Sequence, residues 1–267
     1  MQKTHLVIID PQHDFCSPDG SLFVPGAEND MERLASFISI MRSKISQIHV
    51  TLDCHHLLDI AHPLFWLDEQ GKNPDPFTII SVDDVKNGVW RTAVPSWQKR
   101  AMEYVEGLAK SGRYPLCIWP PHCLIGSNGN QILPSLFAEL MVWQQEKLQT
   151  INFVSKGSNP WTEHYSAVVS DVPDPKDPST QINTGFIQIL ETADNILLSG
   201  EAGSHCLANT VRDVANNFSS EDYIKKMILL EDATSPVPGF ENLQEDFIKE
   251  MTARGMKVSK TTEWMAV

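Results

Sequence analysis

Residues 195–218 read NILLSGEAGSHCLANTVRDVANNF, an apolar run followed by a glycine-containing turn and an amphipathic run. The run at 195–199 is typical of a buried strand, and four apolar residues then recur near helical spacing: Leu207, Val211, Val214 and Phe218. Cys206 therefore lies at the predicted start of a helix, where the helix dipole and free N–H groups favour a thiolate and can bind an oxyanion. Free cysteines are also common as small buried hydrophobic residues, so a catalytic role for Cys206 depends on partners elsewhere in the chain.

Strand-like and helix-like runs alternate on both sides of this stretch. Strands are predicted at 5–10, 48–53, 152–156, 196–202, 227–231 and 256–259, and helices at 31–45, 206–218 and 243–251. Such alternation predicts an α/β fold, a Rossmann-like three-layer α/β/α arrangement with a mostly parallel central sheet. Active sites of these sheets lie beyond the carboxyl ends of the strands, which is where the pattern places Asp10, Asp53, Lys156 and the turn 200–206.

The length favours a single domain over residues 1–267, with an insertion at about 66–118. Prolines, an extended run at 77–80 and a helical run at 96–110 interrupt the alternation there. We expect the inserted segment to pack over the sheet, where it can shape the rim of the site.

Composition excludes several classes of function. The net charge is -13, from 21 basic and 34 acidic residues, and no basic cluster occurs, which argues against binding to nucleic acid or to an anionic membrane. No apolar run approaches the ~20 residues that span a bilayer. The five cysteines form an odd set without paired spacing, which favours reduced thiols and a cytoplasmic location. Whether the chain forms a homo-oligomer is left open.

Cys206 needs a base and a positive charge if it is a nucleophile. Asp10, after the first predicted strand, is the candidate base and later the acid, although an aspartate before proline is also common in turns. Lys156 leaves a predicted strand directly into the same cleft, where it can stabilise both anions, whereas most lysines are solvated surface residues.

A second set of polar residues has the donor types of a metal site. Asp53 and His55 follow a predicted strand, and His122 follows a rigid Trp-Pro-Pro turn. One carboxylate and two imidazoles suit zinc, iron or manganese with room for water. His62 is a candidate fourth ligand, while His56 should point away from the face of His55 on an extended chain.

Taken together, these segments resemble the nicotinamidase/pyrazinamidase branch of the isochorismatase-like cysteine hydrolases. The resemblance covers nearly the whole chain outside the insertion and is carried by VIIDPQHDFC at 7–16, GSL at 20–22, TLDCH at 51–55, WPPHC at 119–123, KG at 156–157, YSA at 165–167 and GEAGSHC at 200–206. No one of these segments is decisive, but their order and joint presence are highly specific.

The resemblance implies an isochorismatase-like hydrolase fold with the triad Asp10, Lys156 and Cys206. It implies a cis peptide bond between Glu201 and Ala202, with the N–H groups of Ala202 and Cys206 forming the oxyanion hole. Its implied metal ligands are Asp53, His55 and His122, which hold one divalent ion, zinc before iron or manganese. Its implied substrate contacts are Phe15, Leu22, Trp119, Tyr165 and His205; for Phe15 and Trp119, ordinary core packing is the alternative.

The implied activity is hydrolysis of nicotinamide, or a similar small aromatic carboxamide, to the carboxylate and ammonia through a thioester, a reaction of NAD salvage. The chain departs from the family at Cys54, where an aromatic residue is usual, and at Gly203-Ser204, where a Thr-Asp pair is usual. The spacing from His55 to His62 is also longer than usual. Two alternatives stay open: a C–N hydrolase for ureido or N-carbamoyl compounds, which in general lacks the metal ligands, and a non-catalytic binding protein on the same fold.

Overall fold

The computed structural model describes residues 2–265. Its strands are β1 Thr4–Ile9, β2 Ile45–Asp53, β3 Trp66–Leu67, β4 Ile79–Ile80, β5 Arg91–Thr92, β6 Leu116–Cys117, β7 Asn152–Lys156, β8 Asn195–Gly200, β9 Met227–Leu230 and β10 Lys257–Ser259. Its α-helices are α1 His13–Cys16, α2 Ala27–Met41, α3 Val82–Lys86, α4 Gln98–Ser111, α5 Pro134–Lys147, α6 Thr184–Glu191, α7 Cys206–Asn217 and α8 Glu241–Arg254.

Six strands form one central sheet in the order β10-β9-β8-β1-β2-β7, and every neighbouring pair is parallel. β1 lies inside this sheet because its run Leu6–Ile9 is apolar throughout and almost completely buried. α2 packs against α5 and α7 packs against α8, while α2 and α7 both contact β8. The predicted three-layer α/β/α fold with a mostly parallel sheet is thus confirmed.

β1 is also the point at which the order of the strands reverses. From β1 the chain builds the sheet in one direction through β2 and β7, and later in the other direction through β8, β9 and β10. The carboxyl ends of β1 and its neighbours therefore border the crevice in which such folds bind ligands.

Some predicted boundaries were wrong. The helix predicted at 31–45 is α2, which begins earlier, at Ala27, and ends at Met41. Ile45 is already the first residue of β2 and pairs with Thr4, because its apolar side chain suits a buried strand as well as a helix. The helices α5 and α6 were not predicted.

The segment 66–118 forms two small antiparallel sheets, β3 with β5 and β4 with β6, together with α3 and α4. It leads directly into Trp119, whose backbone N–H donates to the carbonyl of Ala61 at 2.8 Å. The interpretation of this segment as an insertion in a single domain stays a prediction. Among the helices of residues 2–265, none has the length and apolar character that crossing a bilayer requires.

Candidate active site

The predicted triad residues lie at the carboxyl edge of the central sheet. Asp10 follows β1 with a positive φ of 42°, Lys156 ends β7, and Cys206 is the first residue of α7 after β8. Asp53 ends β2, the strand between β1 and β7. The parallel order of the strands thus brings side chains from four distant parts of the chain to one place.

Lys156 is the centre of this group, which we call the nucleophile cluster: Asp10, Lys156 and Cys206. Its Nζ lies 2.8 Å from Oδ2 of Asp10, 3.1 Å from Oδ1 of Asp53 and 3.6 Å from Sγ of Cys206. The side chain of Lys156 is only 1% exposed, so no bulk water screens these contacts. One cation is therefore shared between two carboxylates and a thiol.

The charges of the nucleophile cluster favour a resting thiol. Burial raises the pKa of Asp10, against the opposing effect of Lys156. Burial by itself would lower the pKa of Lys156, but Asp10 and Asp53 raise it well above its usual range. Burial also raises the pKa of the Cys206 thiol, with Lys156 opposing the rise. Cys206 consequently needs a base to remove its proton, and its Sγ and a carboxylate oxygen of Asp10 lie within 4.8 Å of each other.

Two further residues, neither of them assigned a role from sequence, hold the carboxylates in place. Thr51 accepts the backbone N–H of Asp10 at 3.0 Å and donates its hydroxyl to Oδ1 of the same residue, which leaves Oδ2 for Lys156. Gln12 pairs with the backbone of Asp53 by two hydrogen bonds of 2.6 and 2.7 Å. A threonine on a strand and a glutamine in a turn have many uses, so sequence alone had no signal to single them out.

The turn before α7 carries the predicted oxyanion hole. The peptide bond between Glu201 and Ala202 is cis. The carbonyl of Ala202 accepts the N–H groups of His205 at 3.0 Å and Leu207 at 3.2 Å, which closes the turn onto the start of the helix. N–H groups in the first turn of a helix have no partner within the helix, so that of Cys206 can serve an oxyanion.

Asp53, His55 and His122 form a second group, which we call the histidine cluster. Oδ2 of Asp53 lies 3.1 Å from Nε2 of His55 and 3.5 Å from Nε2 of His122, and all three side chains are buried. One donor atom from each residue lies within 4.8 Å of the others. This is the ligand set expected from sequence.

The outer hydrogen bonds of the two histidines select the tautomer that a metal requires. Nδ1 of His55 lies 3.1 Å from Oδ2 of Asp59, and Nδ1 of His122 donates to the carbonyl of Pro120 at 2.9 Å. A proton on each Nδ1 leaves the lone pair of each Nε2 facing Asp53. Two imidazole nitrogens and a carboxylate therefore fit a divalent metal ion.

Two more side chains border the histidine cluster. His62 donates through Nδ1 to the carbonyl of His56 at 3.1 Å, and its buried Nε2 has no hydrogen-bond partner within residues 2–265. Its ring lies 5.2 Å from that of His55 and 5.5 Å from that of His122. Glu163 was missed from sequence; its Oε1 lies 3.9 Å from Nε2 of His55, and burial raises its pKa to about 8. A glutamate seven residues after Lys156 has no spacing signal that could have found it.

The five expected substrate contacts line one small cavity of about 20 Å³: Phe15, Leu22, Trp119, Tyr165 and His205. Cys206 and Ala202 line the same cavity. Asp53, His122 and Glu163 form its polar side, and Val237 adds an apolar contact that sequence did not suggest. Nε1 of Trp119 donates to the hydroxyl of Tyr165 at 3.0 Å, which fixes both rings. Phe15 and Trp119 are 5% and 2% exposed, so each packs in the core and also walls the cavity.

The fold is the one seen in an isochorismatase family protein of Desulfovibrio vulgaris, which is 17% identical with a TM-score of 0.53, over 98% of this chain and 96% of that one. No family model matches the chain. A nicotinamidase of Saccharomyces cerevisiae is 22% identical over 255 residues, which are 95% of this chain and 97% of that protein.

Solved structures of nicotinamidases and of a pyrazinamidase share the fold of this chain. The yeast nicotinamidase bound to the inhibitor nicotinaldehyde is 19% identical with a TM-score of 0.66, over 96% of this chain and 99% of that one. PnC1 from L. infantum in complex with nicotinate is 22% identical with a TM-score of 0.61, over 100% and 96%. Pyrazinamidase of Pyrococcus horikoshii in complex with zinc is 19% identical with a TM-score of 0.56, over 97% and 99%. The chain thus resembles nicotinamidases and pyrazinamidases over almost its entire length.

Proposed function

We propose that this chain is a cysteine amidohydrolase that converts nicotinamide, or a similar small aromatic carboxamide, to the carboxylate and ammonia. The observation that carries the proposal is the buried nucleophile cluster, which opens into an aromatic-walled cavity beside the histidine cluster. The yeast relative is a nicotinamidase, and the similar structures hold nicotinaldehyde or nicotinate.

The chain's own residues supply the proton transfers. Asp10 takes the proton of Cys206 as the thiolate attacks the amide carbonyl, and the N–H groups of Ala202 and Cys206 bind the oxyanion. Asp10 then gives that proton to the leaving nitrogen, ammonia departs, and a thioester to Cys206 remains. Asp10 next removes a proton from water, the water oxygen attacks the thioester, and the carboxylate leaves as Cys206 regains its proton. Lys156 compensates the negative charge of Asp10 during both the formation and the hydrolysis of the thioester.

The histidine cluster would hold one divalent metal ion through Asp53, His55 and His122. Such an ion would supply an open coordination position for a pyridine nitrogen or a water, and a positive charge beside Asp53. His62 and Glu163 are the candidates for a further ligand. We infer zinc before iron or manganese from the donor types, and the pyrazinamidase of Pyrococcus horikoshii in complex with zinc supports a divalent ion.

The walls of the cavity favour a flat, uncharged ligand. Its large side chains are aromatic or aliphatic, and burial lowers the pKa of His205 to about 4, so this ring is neutral near pH 7. An uncharged planar ring would contact these walls without the desolvation cost that a charge carries.

An ammonia-release assay tests the proposal. Nicotinamide, pyrazinamide, benzamide and several ureido compounds are incubated with protein purified without chelator, and the bound metal is measured on the same sample. We expect turnover of the ring amides, fastest for those with a ring nitrogen, and about one metal ion per chain. Selective turnover of the ureido compounds by metal-free protein would replace this proposal with the other C–N hydrolase activity, and no turnover of any compound would favour a binding protein.

A further inference from the structure

Glu201 is a buried carboxylic acid that the proposed reaction does not use. It lies between β8 and the turn to α7, it is 0% exposed, and it directly precedes Ala202. Its backbone N–H donates to the carbonyl of Ile9 at 2.8 Å, which anchors it beside the end of β1. A fully buried carboxyl group at this place needs a physical account because an uncompensated buried charge is costly.

The side chain of Glu201 joins two loops of the active site. Its Oε2 accepts the backbone N–H of Ser235 at 3.0 Å, and the carbonyl of Ser235 accepts the N–H of Gly203 at 2.9 Å. Two residues further, the N–H of Val237, which lines the cavity, donates to the hydroxyl of Ser204 at 3.0 Å. The turn 201–206 is thus fastened to residues 235–237 by three hydrogen bonds, and Glu201 contributes the only one made by a carboxyl group.

Asp30 on α2 is the partner of Glu201. Both carboxyl groups converge on Ser235, whose N–H donates to Glu201 at 3.0 Å and whose hydroxyl donates to Oδ2 of Asp30 at 2.6 Å, so the two acids lie close together. Asp30 is 2% exposed, and Arg33 is bonded to its other oxygen. Oε1 of Glu201 is buried and receives no hydrogen bond from a donor within residues 2–265.

A count of charges shows which acid carries a proton. Arg33 compensates one negative charge and is bonded to Asp30, so ionisation of Glu201 would bury a second anion without a cation. The other titratable groups nearby are Cys16 on α1 and Glu28 on α2, and neither adds a positive charge. A proton on Oε1 removes the charge and provides the donor for Asp30.

We propose that Glu201 is a positioning residue that stays protonated at neutral pH and donates to Asp30, thereby fixing the turn that carries the Ala202 and Cys206 N–H groups. Burial, followed by the charge of Asp30, raises the pKa of Glu201 well above its usual range, which agrees with this assignment. The catalytic consequence rests on the proposed function, whereas the proton itself does not.

The sign of the pH effect follows from the raised pKa. Folded protein keeps a proton on Glu201 that an unfolded chain has lost, so the stabilising contribution is complete below the ordinary carboxyl pKa and is lost as pH rises through the raised pKa. Glu201→Gln copies the protonated acid, because its amide oxygen can accept from Ser235 and its NH2 group can donate to Asp30 at any pH.

The experiment compares wild type, Glu201→Gln and Glu201→Val by thermal unfolding from pH 5 to pH 10 and by ammonia release over the same range. We expect the Tm of wild type to fall toward alkaline pH more steeply than that of Glu201→Gln. At neutral pH we expect Glu201→Gln to keep kcat within about threefold, and Glu201→Val to lose about 10- to 100-fold in kcat with a smaller change in KM, since misplacement of a reacting group by about 1 Å has effects of that order. The alkaline limb of the kcat profile should lie at higher pH in Glu201→Gln.

Glu231→Gln is the matched control, because Glu231 is exposed and its replacement removes the same charge. Its Tm profile should follow wild type. Superimposable Tm profiles for wild type and Glu201→Gln would overturn the proton on Glu201, and full kcat in Glu201→Val would overturn the positioning role. If no amide is turned over by wild type, the proposed function fails while the Tm profiles still decide the protonation of Glu201.

Discussion

The nucleophile cluster and the histidine cluster lie side by side, yet their charges are arranged differently. In the nucleophile cluster the chain supplies its own cation, since Lys156 contacts Asp10 at 2.8 Å and also reaches Asp53 at 3.1 Å. In the histidine cluster the outer hydrogen bonds occupy Nδ1 of both histidines, which leaves Nε2 of each beside Asp53 for a metal ion. The first arrangement is complete within the chain, whereas the second has the donor types that bind a metal ion.

The two clusters also differ in how the chain builds them. The nucleophile cluster comes from the ends of β1, β7 and the turn after β8, which parallel strands bring together whatever the loops do. The histidine cluster needs His122, which reaches Asp53 only because the turn after residues 66–118 returns to the sheet edge. Changes in the first should therefore abolish chemistry, and changes in the second should act through metal affinity.

Removal of the nucleophile should have the largest effect. We expect Cys206→Ala to lower ammonia release by about 10⁶-fold, as removal of a nucleophile does in other covalent hydrolases, with bound metal unchanged. Cys117→Ala removes another buried thiol and is the control, with activity near that of wild type. Activity that persists in Cys206→Ala would rule out the thioester mechanism.

Removal of the internal cation should destabilise the fold. Lys156→Met leaves Asp10 and Asp53 as buried anions without a counter-charge, so we expect the free energy of unfolding in urea to fall by about 3–5 kcal/mol. The exposed pair of Lys72 and Asp75, 3.3 Å apart, is the comparison, and Lys72→Met should change stability by at most about 1 kcal/mol. Equal effects of the two variants would contradict the claim that Lys156 compensates the buried charges of Asp10 and Asp53.

Loss of an outer hydrogen bond should weaken metal binding without removing a ligand. Asp59→Asn withdraws the carboxylate that holds Nδ1 of His55, and we expect metal affinity to fall about 10- to 100-fold. Isothermal titration of metal-depleted protein with zinc measures this change, with Asp68→Asn, a half-buried loop position, as control. An unchanged affinity would contradict a role of this outer hydrogen bond in metal binding.

The pair His5 and His49 lies outside both clusters and tests the smallest expected effect. Nδ1 of His5 and Nε2 of His49 are 3.1 Å apart, and burial lowers the pKa of His5 to about 4 and of His49 to about 3. Both pKa values lie below that of an unfolded histidine. The contribution of this pair to stability is therefore fully present above about pH 6.5 and is lost as pH falls below it.

His49→Gln cannot take up this proton. We therefore expect its Tm to fall less than that of wild type between pH 7 and pH 4, with chelator having the same effect on both proteins. His56→Gln, at an exposed position, should behave as wild type. An acid-induced loss of stability as steep in His49→Gln as in wild type would exclude this pair as its source.

The charged residues at the sheet edge could be predicted from the sequence. The residues that form hydrogen bonds or ion pairs with them could not. Asp10, Asp53 and Lys156 each follow a short apolar run, so their place at a strand end could be inferred locally. Thr51, Gln12 and Glu163 act through partners at least 41 residues away, and no local pattern marks such pairs. Helix α5 was missed because apolar residues such as Phe137 lie outside its buried face, and α6 was missed because it has only 8 residues.

What the sequence determined by itself was the alternation of strands and helices, and hence one edge at which a thiol, a lysine and two carboxylates must meet. Tertiary structure alone decided which atoms touch: that Lys156 is shared by Asp10 and Asp53, and that the histidine lone pairs face inward. It also decided that Glu201 lies buried against Asp30 rather than in solvent. The physical reason is that periodicity reports only whether a side chain faces the core, whereas hydrogen bonds and charge balance depend on distances of a few ångströms between residues far apart in the chain.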